Sequence, residues 1–266
     1  LGALVLLMVC SFSALADDTL MMATTTSTDN TGLLDVLAPK FKEDRGVELK
    51  WTAVGTGKAL EMGKNCDVDV LLVHAPAAEK EFVAAGYGKD RTEVMYNDFV
   101  IIGPAGDPAG VLGMPVVEAM KKLAAEKAVF ASRGDNSGTN KKEISLWKKS
   151  GIPLPDKEEW YVQTGQGMIA TINVTTEKSA YTMTDRGTFI KFADTHGGNP
   201  PLVVLVAGDP VLFNQYSVLA VNPERCPKAR CELARAFTEW ITSEDIQALI
   251  GDFKLLGKTL FTPNAK

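Results

Sequence analysis

Asp69 to His74 reads DVLLVH, an unbroken apolar run between an aspartate and a histidine. A strand with one face in water alternates apolar and polar residues. An unbroken run of this kind belongs to a strand covered on both faces, as in a parallel sheet sandwiched by helices. Upstream, Thr19 to Thr25 reads as a short strand, and Gly32 to Arg45 as an amphipathic helix with Leu33, Leu34, Leu37, Ala38 and Phe41 on one face. Val47 to Val54 alternates as a second strand and breaks at Gly55-Thr56-Gly57, after which Ala59 to Lys64 reads as a short helix. Strand and helix alternate throughout, which predicts a doubly wound α/β sheet.

Further along, Tyr96 to Pro104 (YNDFVIIGP) and the apolar pair Val203 to Val206 and Asp209 to Val221 mark two crossings between domains. The expected organisation is a first domain from residues 17–98 and 208–266 and a second from 99–207, both doubly wound and joined by a two-strand hinge. The cleft between two such domains is an ordinary small-molecule site. Glu232 to Thr242 is a strongly amphipathic helix, with Leu233, Ala236, Phe237, Trp240 and Ile241 on its core face.

Residues 1–16 form an apolar, uncharged run ending in Ala14-Leu15-Ala16, the pattern of a secretory signal peptide and its cleavage site. Export from the cytoplasm is therefore expected, with the mature chain starting near Asp17 and the first residues of the signal missing. The roughly 250 residues that follow suffice for two α/β domains of ordinary size. Of four cysteines, Cys10 falls in the signal, and Cys226 and Cys231 flank Pro-Lys-Ala-Arg. In an oxidising compartment those two are close enough to close a small disulfide loop, leaving Cys66 as a buried free thiol. The two histidines, His74 and His196, are too far apart in sequence to suggest a metal site, and no cofactor motif is present. A formal charge of −5 argues against a nucleic-acid partner but not against a small anion, which a local array of donors can hold.

Such arrays occur three times. Ala23 to Thr28 (ATTTST) ends a strand with four threonines and a serine. Val54-Gly55-Thr56-Gly57-Lys58 passes from strand through a glycine-rich turn to helix; it is no phosphate loop, since GxxxxGK[ST] would need glycine at Thr52 and a hydroxyl at Ala59. Ala131 to Glu143 (ASRGDNSGTNKKE) carries Arg133, Ser137, Gly138 and Thr139 into a third helix. A helix N-terminus has free N–H groups and partial positive charge, and arginine adds a planar fork of donors. Each array alone has a plainer account as strand end, tight turn or helix cap. In a doubly wound fold, however, all three lie at the carboxyl edge of a sheet, where ligands bind.

ATTTST-x-x-TG-L-L, AVGTGKAL, NDFVIIGP, SRGDNSGT and AYTMTDRGT (Ala180 to Thr188) together resemble the periplasmic tungstate-binding proteins of Tup-type ABC transporters, along essentially the whole mature chain. That resemblance implies the type II periplasmic-binding fold and a monomer that holds tungstate or molybdate in its cleft. It further implies delivery of the ligand to a membrane permease driven by an ATPase. The oxyanion ligands it implicates are Thr25, Thr26, Ser27, Thr56, Arg133, Ser137, Gly138 and Thr139.

The third loop is also similar to the anion loop of phosphate-binding proteins of the same fold. Phosphate keeps a proton part of the time near neutral pH, so its site benefits from a carboxylate acceptor. Asp135 is expected to orient Arg133 instead of facing the ligand. An exported hydrolase is the other alternative, but no Ser-His-Asp order, paired carboxylates or metal spacing supports it. His74 is expected to be a structural histidine, and Lys58 to point outward.

Overall fold

The computed structural model describes residues 18–266; the signal-peptide reading and Cys10 lie outside the described residues. The chain opens with strand β1 (Asp18–Thr25), a one-turn helix α1 (Thr26–Asp29) and helix α2 (Leu33–Arg45). Strand β2 (Val47–Val54), helix α3 (Thr56–Lys64), strand β3 (Val70–Val73) and helix α4 (Pro76–Ala84) follow. β1 lies between β2 and β3, parallel to both, and pairs in step with β2 from Asp18↔Val47 to Thr25↔Val54. Their carboxyl ends therefore finish side by side.

Strand β4 (Gly88–Pro104) serves both halves of the molecule. Its first part pairs antiparallel with the returning strand as far as Asp98↔Phe213; from Phe99, opposite Asp185, it pairs with two other strands. The second half holds α5 (Val116–Ala125), β5 (Phe130–Ser132), α6 (Gly138–Lys149), β6 (Tyr161–Gln163) and α7 (Met168–Glu177). It continues with β7 (Thr182–Asp185), α8 (Arg186–Thr195) and β8 (Leu202–Val206). β7 and β8 flank the second part of β4, and β5 pairs parallel with β6. The chain returns through β9 (Phe213–Val221), which runs antiparallel to both β3 and β4, and then forms α9 (Cys231–Ile241) and α10 (Glu244–Asp252). A final strand segment, Thr262–Pro263, adds to the far edge of β4.

Why the sheet is wound on both faces is legible in its side chains. Leu20 and Met22 of β1, Val70 and Leu72 of β3, and Val218 of β9 join one core with Leu37, Phe41, Phe237 and Trp240. Their strand neighbours Ala23, Leu71, Val73 and Leu219 join another, with Leu60 and Phe82. Successive residues point to opposite faces, so a strand apolar at every position must be covered twice. β4 repeats the pattern in the second lobe, with Phe99 and Ile101 in one core and Val100 and Ile102 in another. These two lobes bridged by shared strands are the type II periplasmic-binding fold.

The expected Cys226–Cys231 pair is corrected. Cys226 is bonded to Cys66, with Cα atoms 5.3 Å apart, and Cys231 is a free thiol. Cys66, expected to be buried and free, is exposed and lies two residues past the end of α3. The antiparallel pairing of β3 with β9 brings the end of α3 against the turn after β9, where Cys226 is buried near Ala59, Leu60 and Phe82. Cys231 instead opens α9, anchored there by the Arg230 N–H donating to Asp69 Oδ1 at 2.8 Å. Proximity in sequence was the wrong guide; the sheet chose the partner.

Candidate functional site

All eight residues expected at the ligand line one small cavity between the lobes. Thr25, Thr26, Ser27, Thr56, Arg133, Ser137, Gly138 and Thr139 meet there with Val54, Gly55 and His74, around a tight space of about 10 Å³. The first lobe contributes the carboxyl ends of β1, β2 and β3, and the second contributes the loop from β5 into α6. Each helix begins inside its loop: Thr56 is the first residue of α3, and Gly138 the first of α6. Their leading N–H groups have no partner within their own helices, so both helices end on the cavity with donors and partial positive charge.

Thr25 caps α1, its hydroxyl accepting from the Thr28 N–H at 3.3 Å and lying 2.7 Å from Thr28 Oγ1. Ser27 Oγ lies 3.1 Å from Thr25 Oγ1. Thr26 is exposed at the rim. The α1 turn is held from outside by the Trp51 indole N–H, which donates to Asp29 Oδ1 at 2.7 Å. Thr56 differs from its neighbours: its hydroxyl is fully buried and finds no hydrogen-bond partner among the described residues. An unpaired buried hydroxyl costs about 1–3 kcal/mol, so nearly all such groups are matched in native proteins.

Arg133 is buried and, among the described residues, places two of its five N–H donors, on Gln166 O at 3.3 Å and on Asp135 Oδ2. Asp135 Oδ1 accepts the Ser137 N–H at 3.1 Å, so both carboxylate oxygens are engaged. The loop is braced from below. Asn140 Oδ1 accepts from the Asn136 N–H at 3.0 Å and holds that residue at φ 59°. Glu143 accepts from Ser132 Oγ at 2.6 Å, Tyr161 OH at 2.7 Å and Trp147 Nε1 at 2.9 Å. Burial raises the Glu143 carboxyl above its ordinary range, against those three bonds. Burial likewise raises Asp185, which caps α8 by accepting from both the backbone and the hydroxyl of Thr188; the charge of Arg133 opposes the rise.

His74 was expected to be structural. It follows β3, lines the cavity, and is nearly inaccessible to solvent. Nε2 lies 3.0 Å from Thr25 Oγ1 and 3.1 Å from Ser27 Oγ, and Nδ1 lies 2.9 Å from Asn214 Oδ1. Burial pushes its pKa down to about 4, the bond to Asn214 opposing and the charge of Arg133 assisting, so it is neutral at pH 7. Its signal in the sequence was position: a polar residue closing a buried parallel strand stands on the carboxyl edge, where ligands bind. Lys58 is exposed and borders a wider outer groove of about 780 Å³. That groove is of mixed charge, lined by Glu61, Glu81 and Asp135 and by Lys58, Lys64, Arg133 and Lys141, whereas the small cavity has a single cationic lining residue among those described. Arg133 is thus the cation at the small cavity.

Comparison with known proteins agrees with this architecture. A profile of the PBP superfamily domain matches residues 13–245, which makes the chain a member of the periplasmic-binding-protein class. It is 50% identical to the tungstate-binding protein TupA of Campylobacter jejuni over 90% of this chain and 89% of that one. The structure of the tungstate-binding protein TupA from Desulfovibrio alaskensis G20 superposes with a TM-score of 0.86 at 67% identity, covering 94% of this chain and all of that one. The structure titled as the tungstate ABC transporter from Geobacter sulfurreducens gives a TM-score of 0.80 at 46% identity, over 90% of this chain and all of that one. The chain belongs to the TupA family of tungstate-binding proteins.

Proposed function

We propose that this protein captures tungstate, and also molybdate, in the periplasm and delivers it to the permease and ATPase subunits of an ABC transporter. The ligand sits between lobe 17–98 with 208–266 and lobe 99–207, in the cavity lined by Thr25, Thr26, Ser27, Thr56, Arg133, Ser137, Gly138 and Thr139, and the protein acts as a monomer. The observation that carries this reading is Thr56 Oγ1, buried and unpartnered where two helix N-termini and one arginine converge. A tetrahedral oxyanion without protons supplies acceptors for such donors and needs none in return. The relatives' names are those of tungstate-binding proteins, and no described helix is long and apolar enough to cross a membrane.

A phosphate site of the same fold is the rival, and Asp135 weighs against it. That carboxylate has one oxygen on Arg133 and the other on the Ser137 amide, which leaves it poorly placed to accept a ligand proton. Thermal unfolding with equal concentrations of tungstate, molybdate, sulfate and phosphate tests the reading, because a ligand specific to the folded state raises the midpoint by mass action. Tungstate and molybdate should shift it and the others should not. Phosphate as the strongest stabiliser would transfer the assignment to the rival.

A further inference from the structure

We propose that Glu143 is a positioning residue for oxyanion binding: its buried carboxylate, acting through Ser132 and Asn140, holds loop 132–137 in the trace that brings Arg133 and the start of α6 to the cavity. The proposal rests on the tungstate reading for the identity of the ligand; the hold on the loop does not.

The loop has a costly backbone. Gly134 stands at φ 60° and Asn136 at φ 59°, both in the left-handed region, and Asn136 carries a side chain there. Such a residue is disfavoured and persists only where its surroundings fix it. Here the amides of the same two residues do the fixing. The Gly134 N–H donates to Ser132 Oγ at 3.3 Å, and the Asn136 N–H donates to Asn140 Oδ1 at 3.0 Å. Arg133 and Ser137, on either side of them, line the cavity.

The direction of each bond behind these two follows from donors that cannot reverse. A backbone N–H only donates, so Asn140 turns its oxygen to Asn136 and its Nδ2 to Ser132 Oγ, 3.3 Å away. Ser132 Oγ then accepts from Gly134 and from Asn140, which uses both of its lone pairs. Its single proton goes to Glu143 Oε2 at 2.6 Å. Oε2 therefore serves the loop, while Oε1 serves the core of the lobe, receiving the Trp147 indole N–H at 2.9 Å and lying 2.7 Å from the Tyr161 hydroxyl. Ser132, Asn140 and Glu143 are all buried, and the cavity lining includes none of them.

The sign of the effect separates positioning from charge. A carboxylate repels an anion, so electrostatics alone predicts tighter binding when the Glu143 charge is removed. Loss of the loop's hold predicts weaker binding. Glutamine at 143 has one acceptor oxygen for the Ser132 and Trp147 donors and brings two hydrogens of its own. Ser132→Ala cuts the same path at its middle.

Calorimetry should show tungstate binding weakened about fivefold or more in both Glu143→Gln and Ser132→Ala, the equivalent of one hydrogen bond lost from the loop. The double variant should bind no worse than Ser132→Ala, because both changes break one path. Amide hydrogen exchange of the ligand-free proteins, read by NMR, should quicken at Gly134 and Asn136 in both single variants. Tyr161→Phe alters only the Oε1 side and should keep the parent's Kd and the parent's exchange at those two amides. Parent-like or tighter binding in a folded Glu143→Gln or Ser132→Ala protein overturns the proposal. So do additive losses in the double variant, unchanged exchange at the two amides, or a Tyr161→Phe loss as large as that of Ser132→Ala. If Glu143→Gln does not fold, Ser132→Ala and its exchange decide. Should the parent fail to bind tungstate, the tungstate reading fails, while amide exchange still judges the hold of Glu143 on the loop.

Discussion

Gly138 and His74 meet across the cleft with no room for a methyl group: a Cβ on Gly138 would stand 2.8 Å from His74 Cε1 and 3.1 Å from Thr56 Oγ1. The imidazole is held at both nitrogens and cannot easily give way. Gly138→Ala should therefore hold the lobes slightly apart at the point where the proposed oxyanion donors converge. We expect it to fold normally and to lose roughly 1–3 kcal/mol of tungstate affinity, the usual cost of overpacking. Calorimetric titration checks this, and an unchanged Kd would mean that the lobes need not approach this closely to bind.

Thr56→Val should act with opposite signs on stability and binding. The hydroxyl has no partner among the described residues, so removing it should leave the ligand-free melting temperature unchanged or slightly higher. Binding should weaken by about 1–3 kcal/mol, because the proposed donor to the anion is gone. A variant that melts early yet binds normally would show that the hydroxyl is structural.

Arg133→Ala should weaken tungstate binding by roughly 2–5 kcal/mol, as truncation of one member of a buried charge pair does, and leave Asp135 without its cation. Arg133→Lys keeps charge but not the planar fork, and should fall between the parent and alanine with an altered tungstate-to-molybdate ratio. Titration of both variants with both anions, after circular dichroism confirms folding, is the measurement.

Acid should destabilise the fold through His74. Its folded pKa of about 4 lies below the ordinary 6.5, so the unfolded chain takes up a proton that the folded chain refuses. The stability it contributes is complete above pH 6.5 and disappears as pH falls towards 4, up to roughly 3 kcal/mol at about 1.4 kcal/mol per unit. Glu143 and Asp185, with raised pKa values, act in the opposite sense as pH rises, so the informative quantity is the parent minus His74→Gln difference. Urea unfolding of both proteins between pH 4 and 7 should show that difference shrinking on acidification.

Mass mapping should find Cys66 joined to Cys226 and Cys231 alkylated without reduction. A link spanning 160 residues restricts the unfolded chain strongly, and its reduction should remove roughly 3–5 kcal/mol of stability. A Cys226–Cys231 peptide in native material would contradict the fold around α3.

Local patterns carried much of this architecture into the sequence. DVLLVH predicted a doubly covered strand because burial on both faces leaves no polar alternation, and Val70 to Val73 are indeed fully buried. The three donor loops were readable because hydroxyls, glycine and arginine cluster at strand ends. What could not be read depends on contacts across long stretches of chain. The partner of Cys226 is set by how β9 lies beside β3, and the role of His74 by Asn214, 140 residues away. Helix starts were also placed late: Ala59 was taken as the beginning of a helix that starts at Thr56, because the residues that open a helix are those that otherwise signal a loop.

Trp51 gives the molecule an optical reporter of its own. Its indole is tethered to Asp29, in the same turn that carries Ser27, so any tightening of that turn around an anion alters the polarity and mobility sensed by the chromophore. Trp147 is fastened to Glu143 beneath the opposing loop. Each side of the cleft thus has its own fluorophore, and tryptophan emission can follow ligand capture in real time without a label.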